Sequence, residues 1–550
     1  MKKTERLADY KLRFIPAGGE KTEIAFSPVG EYEDEFFTVS ATDNGFRRTV
    51  TVTAKRDVTI EKCTQRGVAR AERKSLVLIN GYQSWTKTKE YFLSEKEHNV
   101  KRLPKPLVRA YAFDRYGDTT FFDYDGKILH GYDVLYVKGG SEFFIFNANY
   151  KNAYLVIVVD RKTGEISIRN ELDGLTLSAG EDFTVSDYCY SYDYEKGLAL
   201  FNEFFPKRNI PKILGYTSWY NYYQDINEQI ILRDLDALDD RFELFQIDDG
   251  YETFVGDWLD IDKVKFPNGL KGIVDKVHSH GMKAGIWLAP FVAEEKSKVF
   301  NEHRDWFSFG GEVVKCGANW SGFYAFNLDI PKARAYVEKC LRYYVELGFD
   351  FFKLDFLYGV NLPMVAGKTR SMVAESAYDF IRKVLKGKII LGCGATLLNA
   401  AGKFEYMRIG PDVSLKFDDI WYMRFMHNER ISTKTTIQNT VFRSFMNDRL
   451  FGNDPDVFLL RDDNISLSVE QRRALVTVNA LLGSVIMTSD DIANYDQAKK
   501  AQLDEALNIF RNAHFIGFAR RRDLIELKYE IDGEEKSIVY NTKRGIIYDR

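Results

Sequence analysis

Cysteine and histidine are scarce in this 550-residue chain, with five of the first and seven of the second. The cysteines, Cys63, Cys189, Cys316, Cys340 and Cys393, are scattered and odd in number, so they form neither a disulfide framework nor a metal-ligand spacing. That usage fits a reducing compartment and predicts a cytoplasmic protein. His278 and His280 make a His-x-His pair beside Gly281, but no third ligand stands near them, which argues against zinc. No stretch is apolar for long enough to span a bilayer, and Met1-Lys2-Lys3-Thr4-Glu5-Arg6 leads into no signal-peptide core. A net charge of −3 leaves no footprint for nucleic acid or for an anionic membrane. Repeats and low-complexity tracts are also missing, and no glycine-rich dinucleotide or phosphate loop is present.

Aromatic residues are what the chain has in quantity: 32 Tyr, 41 Phe and 7 Trp. Most will fill cores, and some are available to stack on sugar rings. The length calls for two or three domains. Residues 1–193 read as an all-β sandwich. Thr49-Val50-Thr51-Val52-Thr53 alternates with period two, 74–79 and 154–159 are β-rich runs, and Asp125-Gly126 and Gly139-Gly140 mark hairpins. Residues 194–210 read as a helical linker ending at Pro211.

From 211 to 512, strand-like runs alternate with amphipathic helices. The strand segments are 213–221, 242–250, 282–290, 349–356, 388–395, 405–413, 445–458 and 484–490. Pro331 suits a helix start and Gly348 its end, Asn227 precedes another helix, and Ser468 with Gln471 forms a capping box closed by Gly483. Eight such units predict a (β/α)₈ barrel, with a doubly wound open sheet as the alternative. Residues 513–550 return to strands as a small β domain, with Asp532-Gly533 as a hairpin turn. Arg520-Arg521-Arg522 reads as a solvated strand face.

In a barrel, reactive groups come from the C-terminal ends of strands. Here those ends carry Trp219, Asp248-Asp249, Trp287, Asp355, Cys393 and Asp412. Lys353 lies two residues before Asp355, so in a strand both face the same way, and an ammonium beside a carboxylate favours its charged form. A charged, oriented carboxylate can attack an anomeric carbon. A bare buried ion pair is the alternative. Asp412 follows Gly410-Pro411 and suits a general acid; Arg408 would contact sugar and stand apart from it, because a close cation would strip its proton. Asp418 and Asp419 compete for that role from a loop. Asp248 and Asp249 offer acceptors to sugar hydroxyls, with a cation site as the alternative. Asn453-Asp454-Pro455-Asp456 reads as a structural turn at the barrel mouth.

These residues resemble a known family, the melibiase-type α-galactosidases of glycoside hydrolase family 36, related to family 27. Asn80-Gly81-Tyr82-Gln83-Ser84-Trp85 resembles its N-terminal-domain signature. Gly215 to Tyr220, Ile247 to Gly250, Gly285 to Pro290 and Lys353-Leu354-Asp355 are similar to its barrel motifs, in the right order. The resemblance implies Asp355 as nucleophile and Asp412 as acid/base, with Arg408 on the sugar. It implies Asp248 and Asp249 on the 4- and 6-hydroxyls, Lys353 on a ring hydroxyl, and Trp219, Trp287 and Cys393 lining the pocket. It further implies retaining hydrolysis of terminal α-galactosides without a metal or other cofactor, and carboxyl groups roughly 5–6 Å apart. An α-N-acetylgalactosaminide or β-L-arabinopyranoside substrate, galactosyl transfer, and a non-enzymatic carbohydrate-binding protein stay open. So do a monomer or homo-oligomer, and whether Trp85 completes a neighbour's pocket.

Overall fold

The computed structural model describes residues 8–97, 103–418 and 427–550. Period-two patterning governs the first part. In the strand Arg47–Ala54, Val50 and Val52 point inward and the threonines between them outward. This strand lies in an eight-stranded antiparallel sheet, which faces a six-stranded one containing Tyr10–Pro16, Val58–Arg70 and Tyr154–Asp160. Side chains from both sheets share one core. The hairpin at Gly139-Gly140 joins Val134–Lys138 to Phe143–Asn147 as expected. Asp125-Gly126 does not close a hairpin, because irregular chain precedes it and only Ile128–Tyr132 follows. A short helix, Lys105–Tyr111, interrupts the all-β pattern.

The strand Phe143–Asn147 is buried on both sides. Phe143 and Ile145 enter the core between the sheets, whereas Phe144 and Phe146 face away, toward the helix Tyr194–Phe204. That helix begins with Asp193 capping the Lys196 amide at 2.9 Å. Its Gly197 sits so close to Phe144 that an added Cβ would meet the ring's own Cβ at 2.1 Å. Only glycine allows that approach.

All eight strand segments expected beyond residue 211 contain strands, and each strand is shorter than its segment. Ile213–Thr217, Leu244–Ile247, Lys283–Leu288, Phe351–Leu354, Ile389–Gly392, Tyr406–Arg408 and Val485–Thr488 run parallel. The segment 445–458 supplies two short pieces, Gly452–Asp454 and Val457–Phe458, which lie at opposite ends of a nine-stranded order. Only Pro455 and Asp456 separate them in sequence, and Ser484 donates to the Asn453 carbonyl at 2.8 Å, so the sheet curls into a barrel-like ring. The strands stop early because their last residues turn outward. After Leu354 the chain passes through Asp355 to Phe356, whose φ of 53° is left-handed. After Thr217 it coils into the helical turn Trp219–Tyr222.

The helix signals fall where the sequence placed them. Pro331 opens Pro331–Leu347 and Gly348 closes it at φ 103°. Asn227 caps Ile230, and Ser468 and Gln471 form the capping box. At the C-terminal end, four antiparallel strands cover His514 to Asp549, and Asp532-Gly533 makes the two-residue turn with both φ positive. Arg520 departs from the solvated-face reading. Its guanidinium lies 3.6 Å from Glu95 and over the Phe92 ring.

One buried arginine ties the N-terminal loop to the barrel. Arg443 donates through Nε to Asn80 Oδ1 (3.0 Å), through Nη1 to the Ser84 (2.5 Å) and Ile409 (2.8 Å) carbonyls, and through Nη2 to the Gln83 (3.2 Å) and Gly81 (3.5 Å) carbonyls. Burial pulls its pKa down to about 9, which still leaves it cationic at neutral pH. Arg443→Lys keeps the charge but offers three donors to five acceptors. We expect a loss of about 2–4 kcal/mol, read as a lower urea midpoint. An unchanged midpoint would mean that this fork does not hold the two parts together.

Candidate active site

The strand ends converge on a cavity of about 420 Å³. Its walls include seven of the nine residues singled out in the sequence: Trp219, Asp248, Asp249, Trp287, Lys353, Asp355 and Asp412. Cys393 and Arg408 stand behind the wall.

Asp355 is held from two sides. Trp287 Nε1 donates to its Oδ2 at 3.0 Å and the Phe356 amide to its Oδ1 at 2.8 Å. The left-handed turn at Phe356 aims that amide back at the carboxylate. Lys353 does not pair with Asp355, as its position in the strand suggested. Its ammonium sits 2.8 Å from Asp248, and both side chains are almost fully buried. Burial alone would lower the lysine's pKa, but Asp248 lifts it above the usual value. The strand Lys283–Leu288 lies between the strands of Lys353 and Asp248, so this ion pair spans the inside of the ring past an intervening strand. Gln246 (2.7 Å) and Thr217 (3.2 Å) also donate to the same Asp248 oxygen.

Asp249 accepts from Trp320 Nε1 at 2.9 Å and from Gln224 Nε2 at 3.1 Å. Desolvation raises its pKa, and the buried Glu252 has its own pushed well up, first by burial and then by the Asp249 charge.

The greatest departure concerns Arg408. It is fully buried, donates to Asp454 (2.7 Å) and Asp412 (2.9 Å), and forms an ion pair with Asp456 at 2.7 Å. The acid and the cation are therefore neighbours, not apart. Asp412 nonetheless has its pKa pushed up to about 7, first by loss of hydration and then by the Asp456 carboxylate, against the pull of Arg408 and Lys353. One guanidinium serves three carboxyls. Asp454 and Asp456 are fully buried around it, while Asp412 reaches the cavity with 31% of its side chain exposed. Asp454, buried on the same guanidinium, also has its pKa raised by loss of hydration, so the cluster disfavours full ionisation. Asn453-Asp454-Pro455-Asp456 is thus a turn at the mouth and also the clamp on Arg408. Asp418 pairs with Arg430 at 2.7 Å, and Asp419 lies outside the described residues.

Cys393 is fully buried and accepts from Trp85 Nε1 at 3.2 Å. Burial raises its thiol pKa, with the Asp355 charge second. Trp85 lines the cavity of its own chain and packs edge-on against Phe356. His278 pairs with Asp350 (2.8 Å), and His280 Nδ1 lies 2.9 Å from the Lys276 carbonyl.

Sequence reading missed Trp320, Gln224, Glu252 and the pairing of Asp454 and Asp456 with Arg408. For Trp320 a signal existed. The span between the third and fourth strands is far longer than its one long helix needs, and long excursions at a barrel mouth carry function. Of the ten described non-glycine residues with positive φ, four, Tyr223, Trp320, Phe356 and Asp456, belong to or adjoin this site.

Residues 190–386 match the family model described as Melibiase. An α-galactosidase of Escherichia coli is 32% identical over 144 residues, 24% of this chain and 20% of the relative. The bifunctional α-galactosidase/sucrose kinase AgaSK of Mediterraneibacter gnavus is 25% identical over 325 residues, 52% of this chain and 33% of the relative. This chain therefore covers a third or less of the length of these two relatives. In fold, the α-galactosidase TtGalA from Thermus thermophilus, solved with p-nitrophenyl α-D-galactopyranoside, matches with a TM-score of 0.72. That match covers 92% of this chain and 98% of that one, at 21% identity. The sequence match, which resembles the melibiase family over residues 190–386, falls on the segment that carries Asp248, Asp249, Lys353 and Asp355.

Proposed function

We propose that the chain is a glycoside hydrolase that releases terminal α-linked galactose with retention of configuration. The observation that carries this reading is a pair of carboxyls in opposite settings on one cavity. Asp355 accepts two fixed hydrogen bonds, and Asp412 is pushed up to about 7. One is oriented to attack and the other is able to hold a proton, which is the division of labour that double displacement needs.

In the first step an Asp355 oxygen bonds to the anomeric carbon as the glycosidic bond breaks, and the Asp412 proton goes to the leaving oxygen. In the second, Asp412 takes a proton from water, the water oxygen attacks the anomeric carbon, and the bond to Asp355 breaks. Lys353, Asp248 and Asp249 supply a donor and acceptors for the hydroxyls of the sugar. Arg408 acts from behind, fixing Asp412. The architecture this reading assumes is a sandwich over 1–193, a linker over 194–210, a (β/α)₈ barrel over 211–512 and a β domain over 513–550. The seventh barrel strand would be the run broken at Pro455.

A panel of aryl α-glycosides followed by proton NMR tests the reading. The α-galactoside is expected to be cleaved fastest, with α-galactose appearing before mutarotation. Initial β-galactose would mean inversion, and faster cleavage of an α-N-acetylgalactosaminide or β-L-arabinopyranoside would change the substrate.

A further inference from the structure

Behind the acid stands a tyrosine that neither displacement step touches. Tyr220 lies in the helical turn Trp219–Tyr222 and is buried. Its main chain is pinned on both sides. The amide donates to Ser489 Oγ at 3.2 Å, and the carbonyl accepts from Arg461 Nη2 at 2.8 Å, a guanidinium that pairs with Asp490 at 3.2 Å. So held, the phenol reaches under the barrel mouth, and its hydroxyl donates to Asp456 Oδ2.

The three carboxyls round Arg408 are served unequally. Asp456 Oδ2 accepts from the Tyr220 hydroxyl and from the Val413 amide (2.7 Å), while its Oδ1 pairs with the guanidinium. Asp454 accepts from Arg408 Nε (2.7 Å) and from the Asp456 amide (2.8 Å). Among the described residues, Asp412 accepts from Arg408 Nη1 alone, at 2.9 Å. Hydrogen bonds to a carboxylate favour its charged form. A cluster that disfavours full ionisation keeps its proton where the donors are fewest. That place is Asp412, the member of the cluster on the cavity wall.

The groups facing Asp412 set the direction of any change. Loss of hydration raises its pKa most and the Asp456 charge comes next; Arg408 and Lys353 oppose them, and Asp355 adds to the rise. Tyr220, Tyr223 and Cys393 also face it, each held uncharged by burial. With the proton on Asp456 instead, the charge that keeps Asp412 protonated would be gone.

Resting on the hydrolase reading above, we propose that Tyr220 is a positioning residue whose hydroxyl holds Asp456 in the charged form and thereby keeps the acid proton on Asp412. The test is Tyr220→Phe, which removes one hydroxyl from a buried ring and leaves Asp456 Oδ2 its bond to the Val413 amide. In the native chain, kcat/KM on an unactivated α-galactoside falls through about pH 7. In Tyr220→Phe that limb moves down to about pH 6, so the loss at pH 7 is about fivefold, and smaller on an activated aryl α-galactoside. Asp456→Asn, which suits the left-handed backbone there (φ 72°), displaces the limb the same way. The double variant moves no further than Asp456→Asn, because the hydroxyl acts through that carboxylate. A limb that stays near pH 7 in either single variant, equal losses on both substrates, or additive displacements in the double variant overturns the role of Tyr220 alone, given a limb that vanishes in Asp412→Ala. A native chain that cleaves no α-galactoside, or a limb that survives in Asp412→Ala, brings down the hydrolase reading and the role of Tyr220 with it.

Discussion

Asp355→Gly is expected to remove turnover, by about 10⁴-fold or more, and azide is expected to restore it while yielding β-galactosyl azide. The variant should fold. Lys353, the nearest cation along the strand, is neutralised by Asp248 at 2.8 Å and not by Asp355. Deleting the Asp355 carboxylate therefore orphans no buried charge and leaves only the Trp287 indole and the Phe356 amide without an acceptor, a cost of about 1–3 kcal/mol for each group that water cannot reach. The space left behind opens onto the cavity, and a small anion can enter from the side the carboxylate occupied. Azide attack from that side gives the β product, because the substrate is an α-glycoside and one displacement inverts the centre. A folded variant that azide fails to rescue would take the nucleophile's role away from Asp355. An α-galactosyl azide product would place the attack on the wrong face.

The strands and helices behind this expectation were legible because their signals are local. Pro331 and Gly348 bracket a helix, and Ser468 and Gln471 cap one, through contacts within a few residues. The acidic strand ends were legible for the same reason, since Asp355 and Asp412 each close a run of strand-forming residues. What stayed hidden depends on partners far apart in the chain. Lys353 and Asp248 are 105 residues apart, and Trp85 and Cys393 are 308 apart. Asp454 and Asp456 lie in a turn-forming sequence, and nothing nearby in it announces Arg408. A barrel fixes such pairs by the order of its strands round the ring and by how far each projects. Neither quantity is written in the hydrophobic pattern of a single strand, so for Lys353 and Arg408 the sequence suggested partners that the fold does not give them.

Arg408 bears directly on the second expected result. A guanidinium at 2.9 Å would ordinarily hold Asp412 as a carboxylate and spoil it as an acid. Here Asp454 and Asp456 occupy the same guanidinium, and enclosure costs the charged form its hydration, so the Asp412 pKa rises to about 7. The acid form predominates below that value and is lost above it. With the first step limiting, kcat/KM on an unactivated α-galactoside should therefore fall as pH rises through about 7. Asp412→Ala should abolish that limb. It should also cost about 10²–10⁴-fold on a galactoside with a poor leaving group and far less on an activated aryl one, which departs without a proton. The variant leaves Arg408 with two buried carboxylates, so its charge stays compensated and the fold should hold. Equal losses on both substrates, or a limb near pH 7 that survives in Asp412→Ala, would assign the proton to another group. The pair Asp249 and Glu252 would be the next to examine, because it too carries a raised carboxyl pKa, and Asp249 lines the same cavity.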